Sequence, residues 1–156
     1  MRRSNRKPAR TGFVVAAVAG SVHAAFSVYW GLGGDALLET VGSVADGFAG
    51  RRWLLVVVGA AKGVAALVPL VLVLRCTAIP RPLRGAMWAG AVVLILWGAV
   101  NTASSGLLAA GVLPRSTDGY DAAATLGHAL LWDPLFLVWG LALAAGLWVT
   151  RSTRSA

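Results

Sequence analysis

WLLVVVGAAKGVAALVPLVLVL, residues 53–74, decides the setting of this chain. The stretch is apolar from end to end apart from Lys62. A helix needs about 20 apolar residues to cross the hydrocarbon core of a bilayer. A lone open strand is excluded there, because its backbone N–H and C=O groups would go unpaired. The stretch therefore predicts a transmembrane helix.

Three further runs have the same character, over residues 12–30, 85–110 and 126–149. The 156-residue chain is 58% hydrophobic and 13% charged. An ordinary soluble domain carries about 25% charged residues, so this composition excludes a free-standing soluble protein. The expectation is an all-α integral membrane four-helix bundle. It has a basic leader at 1–11, a transmembrane domain at 12–149 and a basic tail at 150–156.

The net charge of +8 is placed as topology information rather than as a nucleic-acid groove. Arg2, Arg3, Arg6, Lys7 and Arg10 sit in the leader. Arg75, Arg81 and Arg84 flank the second link, and Arg151 and Arg154 end the chain. Only Arg51, Arg52 and Arg115 fall in the other two links. Basic residues stay on the cytoplasmic side, so both termini are expected inside, in a bacterial cytoplasmic membrane. No nucleic-acid partner is expected. Membrane lipid is, and a homo-oligomer or a partner membrane protein stays open.

The basic leader, the run GFVVAAVAGS and the sequence Val22-His23-Ala24 also have the form of a cleavable signal. The apolar run continues to Tyr29 and Trp30, which favours a retained helix. In the first outer link Leu37, Leu38, Val41, Val44, Ala45 and Phe48 recur at helical spacing. That predicts a short amphipathic helix lying on the outer surface. The lone Cys76 excludes an intrachain disulfide. With two His and one Cys, no metal and no cofactor are expected. No catalytic motif is present, neither HExxH, nor a phosphate-binding Gly loop, nor GxSxG. Gly59-Ala60-Ala61-Lys62-Gly63 has the spacing that lets helices approach closely.

Each predicted span carries one conspicuous polar residue: His23, Lys62, Asn101 and Asp133. Counting from the outer ends at about 1.5 Å per residue puts all four roughly 10–13 Å deep. An unpaired charge at such depth costs at least about 2.5–3.5 kcal/mol, so such groups turn inward and find partners. Lys62 and Asp133 have opposite signs and are expected to interact, directly or through water. His23 and Asn101 would complete the hydrogen bonding. Pro134 lacks an N–H, frees the carbonyl of Leu130 and is expected to kink its helix beside Asp133. His128 is placed near the outer interface, in contact with water. Trp97 and Trp139 lie too deep for the aromatic belts, with core packing preferred over a ligand cage.

Tyr29-Trp30-Gly31-Leu32-Gly33-Gly34 after His23, together with Trp132-Asp133-Pro134-Leu135-Phe136-Leu137-Val138-Trp139-Gly140, resembles a family of small bacterial four-helix membrane proteins. That family is catalogued as domain of unknown function 3995. The resemblance implies four helices and a membrane location, and it implies no reaction. It marks Tyr29, Trp30, Gly33, Gly34, Asp133 and Pro134 as positions to test. Three functions stay open. The preferred expectation is a non-enzymatic membrane protein held together by its polar layer. The alternatives are a lipid or small-molecule pocket lined by Tyr29, Trp30, Trp97, Pro134 and Trp139, and a subunit of a proton-coupled transporter.

Overall fold

The computed structural model describes residues 6–42, 47–48, 50–75, 79–115 and 119–151. Helix α1 is Arg6–Gly31, α2 is Trp53–Leu74 and α3 is Arg81–Ala109. The last rod has three parts: α4 at Ala122–Gly127, a π-helical turn at His128–Trp132, and α5 at Asp133–Arg151. No strand occurs among the described residues. Among the described residues four helices are long and apolar enough to cross a membrane: Arg10–Gly31, Trp53–Leu74, Arg81–Ala109 and Ala122–Thr150.

Three helices start earlier than the apolar runs, two of them for a visible local reason. Helix α3 begins just after Pro80 and takes Pro82 into its first turn, where a missing N–H costs nothing. Helix α4 begins at Ala122 because the Asp121 carboxylate accepts the Ala124 N–H at 2.9 Å, a side-chain N-cap. Helix α1 starts at Arg6, so the end of the basic leader is helical.

The helices touch in the order α2, α1, α5, α3. Helices α2 and α3 follow each other in sequence, yet they lie on opposite flanks and pack little on one another. Burial follows this order. Over an apolar 18-residue stretch of each helix, 44% of residues are buried in α1 and 39% in the last rod, against 17% in α2 and 11% in α3. The central pair thus carries the core, and the flanking helices turn most of their surface outward.

Glycine sets the approach between neighbours. A Cβ at Gly98 would meet Leu137 N at 2.5 Å and Asp133 O at 2.8 Å. A Cβ at Gly59 would meet the Ala24 carbonyl oxygen and Val28 N, each at 2.9 Å. Small residues let transmembrane backbones close up, which is how helices gain packing energy where lipid offers no hydrophobic drive. Gly63, the other end of the predicted small-residue motif, is not a close-approach point; its Cβ would reach only Ala24 Cβ at 3.8 Å.

Two apolar clusters fill the core. The larger gathers Phe13, Ala16, Ala66, Ala91, Trp139 and Leu147, among others, towards the end of the molecule that holds both termini. The smaller gathers Trp30, Val41, Leu55 and Trp132 at the other end. Among the buried polar residues, His23, Ser27 and Asp133 lie between them along the chain.

The first outer link does not open with a regular surface helix. After Gly31 it runs through turns, reaches a left-handed Leu37 (φ 60°) and forms a 3-10 turn at Leu38–Val41. Residues 43–46 and 49, which include Val44 and Ala45 of the expected helix, fall outside the described residues, as does Cys76. The described part folds back over the helix ends. Trp30 Nε1 donates to Ala36 O at 2.8 Å, and a Cβ at Gly34 would run into the Tyr29 ring.

Candidate functional site

Pro134 organises the centre of the site. It offers no N–H to the turn before it, and its ring crowds the carbonyl four residues back. The chain answers with a wider π turn over His128–Trp132, immediately before Asp133. Such single π turns inside α-helices recur at functional sites. The rod is therefore locally rewound here, which is the form taken by the kink expected from the sequence.

Asp133 is 1% exposed. Its Oδ2 lies 2.8 Å from His128 Nδ1, so the imidazole N–H donates to the carboxylate. The Trp97 indole of α3 also faces this carboxylate. His128 keeps about a third of its side chain exposed. It was expected near the outer interface, and it holds the buried acid while staying partly exposed.

His23 is 5% exposed. Its Nε2 lies 2.8 Å from the Trp132 carbonyl oxygen. A carbonyl only accepts, so Nε2 carries the proton. This bond ties α1 to the π turn. The His23 ring stacks on Phe136, with centroids 3.8 Å apart and planes 17° apart. One turn along α1, the Ser27 hydroxyl donates to the His23 carbonyl at 3.0 Å.

Lys62 does not pair with Asp133. Its amine donates to Ser27 Oγ at 3.1 Å and lies over the Phe136 ring, 5.4 Å from its centroid. The direct ion pair is absent because α2 packs on α1 rather than along α5, while Asp133 is turned towards His128 and α3. Similar depth did not make the two charges neighbours.

Asn101 does not join the others either. Its side-chain amide donates to the Trp97 carbonyl of its own helix at 2.8 Å, on an exposed face. Trp97 is 60% exposed and is not core packing, whereas Trp139 is 4% exposed and is. Tyr29 is 44% exposed. Trp30 is buried and packs edge-on against Trp132, centroids 5.1 Å apart.

The structure thus splits the expected single layer in two. One group is His23, Ser27 and Lys62 around the Phe136 ring. The other is Asp133 with His128 and Trp97. The Trp132 backbone joins them, and its indole donates to Thr40 Oγ1 at 2.9 Å, which fastens the outer link over the site. Ser27, His128 and Phe136 were not singled out as site residues from the sequence. The spacing of Ser27, one helical turn after His23, was the available signal for the first of them.

An apolar groove lies elsewhere, on the outward side of α2, lined by Gly63, Val64, Leu67, Val68, Val71 and Leu72. None of the candidate site residues lines it. Among the described residues no cluster of His, Cys, Asp and Glu suited to a metal ion is found.

The model of the family described as "Protein of unknown function (DUF3995)" matches residues 20–143. That interval contains every residue of both polar groups. No curated protein and no solved structure matches the chain.

Proposed function

We propose that this chain, which belongs to the DUF3995 family, is a non-enzymatic multi-pass membrane protein whose buried polar groups lock its central helices together. The observation that carries this reading is the 2.8 Å bond from His23 Nε2 on α1 to the Trp132 carbonyl of the last rod, next to the buried Asp133. Asp133 is 1% exposed and its carboxylate is engaged by His128 at 2.8 Å. A catalytic acid or base needs to reach a substrate proton. Asp133 instead spends its charge on the protein, as His23 spends its Nε2 proton on Trp132.

The setting proposed is a bacterial cytoplasmic membrane with both termini inside. The basic residues around the leader, the α2–α3 link and the tail support it through the positive-inside rule. Alkaline phosphatase fused after Arg154 should be inactive and fused after Gly119 should be active. The reverse pattern would invert the orientation.

The test of the locking role is the thermal unfolding of detergent-purified Asp133→Asn and Asp133→Leu beside the wild type. Both should melt lower, Asp133→Leu by more, since it also leaves His128 without an acceptor. Variants that melt with the wild type would remove the structural role.

Proton-coupled transport draws less support. The Lys62, Ser27 and His23 group ends on the Trp132 carbonyl. A carbonyl has no proton to pass on, so this chain of bonds does not reach Asp133. A binding role is favoured by a separate observation, the environment of Lys62.

A further inference from the structure

Lys62 is a cation without an anion. Its amine offers three N–H donors. One goes to Ser27 Oγ at 3.1 Å. The Phe136 ring takes a second side of the group, 5.4 Å away. Neither partner carries a negative charge. Among the described residues Lys62 makes no ion pair. The described acids are engaged or placed elsewhere: Asp35 bonds Arg52, Asp121 caps α4, Asp133 holds His128, and Glu39 is exposed on the outer link.

A second donor is stranded close by. Trp139 is 4% exposed, and its buried Nε1–H has no hydrogen-bond partner. Its ring runs nearly parallel to Phe136, with planes 15° apart and centroids 6.4 Å apart. A Cβ at Gly20 would meet Ala66 Cβ at 2.6 Å and the Trp139 ring at 2.7 Å. The indole is therefore wedged where α1, α2 and α5 meet, one turn of α2 from Lys62. Buried polar groups in proteins are nearly always paired, and intramembrane charges find a counter-charge. Here two donor-only groups lie against the same phenyl ring, and the described residues give Lys62 no anionic partner and the Trp139 N–H no acceptor.

We propose that Lys62 and Trp139 form an anion-recognising site within the membrane span, which takes a carboxylate or phosphate oxygen, free or lipid-borne. The anion neutralises Lys62 and gives the Trp139 N–H its acceptor. The low dielectric of the surroundings strengthens both charge-assisted bonds. Phe136, stacked on His23, borders the site beside both donors.

The test uses the full chain in a neutral detergent, exchanged into buffer free of carboxylate and phosphate. Five probes are added separately: sodium acetate, sodium phosphate, oleate, dioleoyl phosphatidic acid, and oleyl alcohol as the uncharged control. At least one anionic probe should raise the unfolding midpoint by several degrees, and oleyl alcohol should not. The apparent Kd should weaken roughly tenfold in Lys62→Gln, which loses the ion pair, and several-fold in Trp139→Phe, which loses a bond from an uncharged donor. A response to acetate or phosphate assigns a free ion; a response to oleate or phosphatidic acid alone assigns a lipid-borne group. If no anionic probe shifts the midpoint, or if Lys62→Gln responds like the wild type, the site is overturned. Trp139→Phe keeps the ring packing and removes only the donor, so it decides the matter alone if Lys62→Gln does not fold. Neither outcome depends on the behaviour of Asp133 variants.

Discussion

His128 Nδ1 lies 2.8 Å from Asp133 Oδ2, five residues further along the same rod. In a regular α-helix residues five apart point about 140° away from each other. The π turn at His128–Trp132 takes up this difference and swings the imidazole over the carboxylate. A local winding defect thus supplies a buried acid with its partner.

The pair should be strongly coupled. Interhelical hydrogen bonds in membrane proteins average only about 0.6 kcal/mol by double-mutant cycles. A charged acceptor raises that figure, because hydrogen bonds to charged groups contribute about 1.5–3 kcal/mol. A cycle of His128→Ala and Asp133→Ala, read by thermal unfolding in detergent, should give a coupling of about 1–2 kcal/mol. A coupling indistinguishable from zero would show that the contact carries no stability.

Close approach at Gly98 makes a second prediction. A Cβ there meets α5 backbone atoms at 2.5 Å and 2.8 Å, and backbone does not yield as a side chain tip does. Gly98→Ala should push α3 from α5 and cost about 1–3 kcal/mol. Gly106, on the same helix, has open space around its Cβ position. Gly106→Ala should be neutral or stabilise by up to about 1 kcal/mol, through helix propensity alone. Equal effects at the two positions in unfolding experiments would mean that α3 is not seated on α5 through Gly98.

The four spans were legible in the sequence because length and composition alone decide them. His23 and Asp133 were legible as buried for the same reason, since hydrocarbon penalises each of them, whereas Asn101 lies on an exposed face. The partners of the polar residues were not legible. Depth along a helix says how far in a group lies, not which neighbour its face meets. Lys62 and Asp133 share a depth, yet the order α2, α1, α5, α3 sends Lys62 to Ser27 and leaves Asp133 to His128. His128 itself was hidden by α-helical counting, which turns it away from Asp133. The start of α4 also had an overlooked local signal, in Asp121 as a capping residue ahead of three alanines.

The outer link should be fastened by one hydrogen bond in particular. Trp132 Nε1 donates to Thr40 Oγ1 at 2.9 Å, and that hydroxyl donates on to the Leu37 carbonyl at 2.6 Å. Trp132→Phe keeps the aromatic packing with Trp30 and deletes the donor. The global cost should be about 1 kcal/mol. The local effect should be larger, with faster amide exchange over residues 36–42 and little change within α2. Thr40→Val should reproduce it, and the double variant should add little to either single one. Additive effects would mean that the two side chains act separately.

Pro134 should be the cause of the His128–Asp133 contact rather than a neighbour of it. The proline withholds the N–H that the Leu130 carbonyl would use in an α-helix, and its ring crowds that carbonyl. The π turn that follows from this brings His128 round. Pro134→Ala restores the N–H and favours an unbroken α-helix, which gains a backbone bond and turns His128 away from the acid. The two effects oppose each other in overall stability, so a melting temperature alone decides nothing. The informative quantity is the coupling between His128 and Asp133 measured again in the Pro134→Ala background. It should fall from about 1–2 kcal/mol to below about 0.5 kcal/mol. An undiminished coupling would move the cause from the proline to the tertiary contacts, namely the Thr40 backbone packed on Gly127 and the His23 bond to Trp132, which would then hold the π turn open without it.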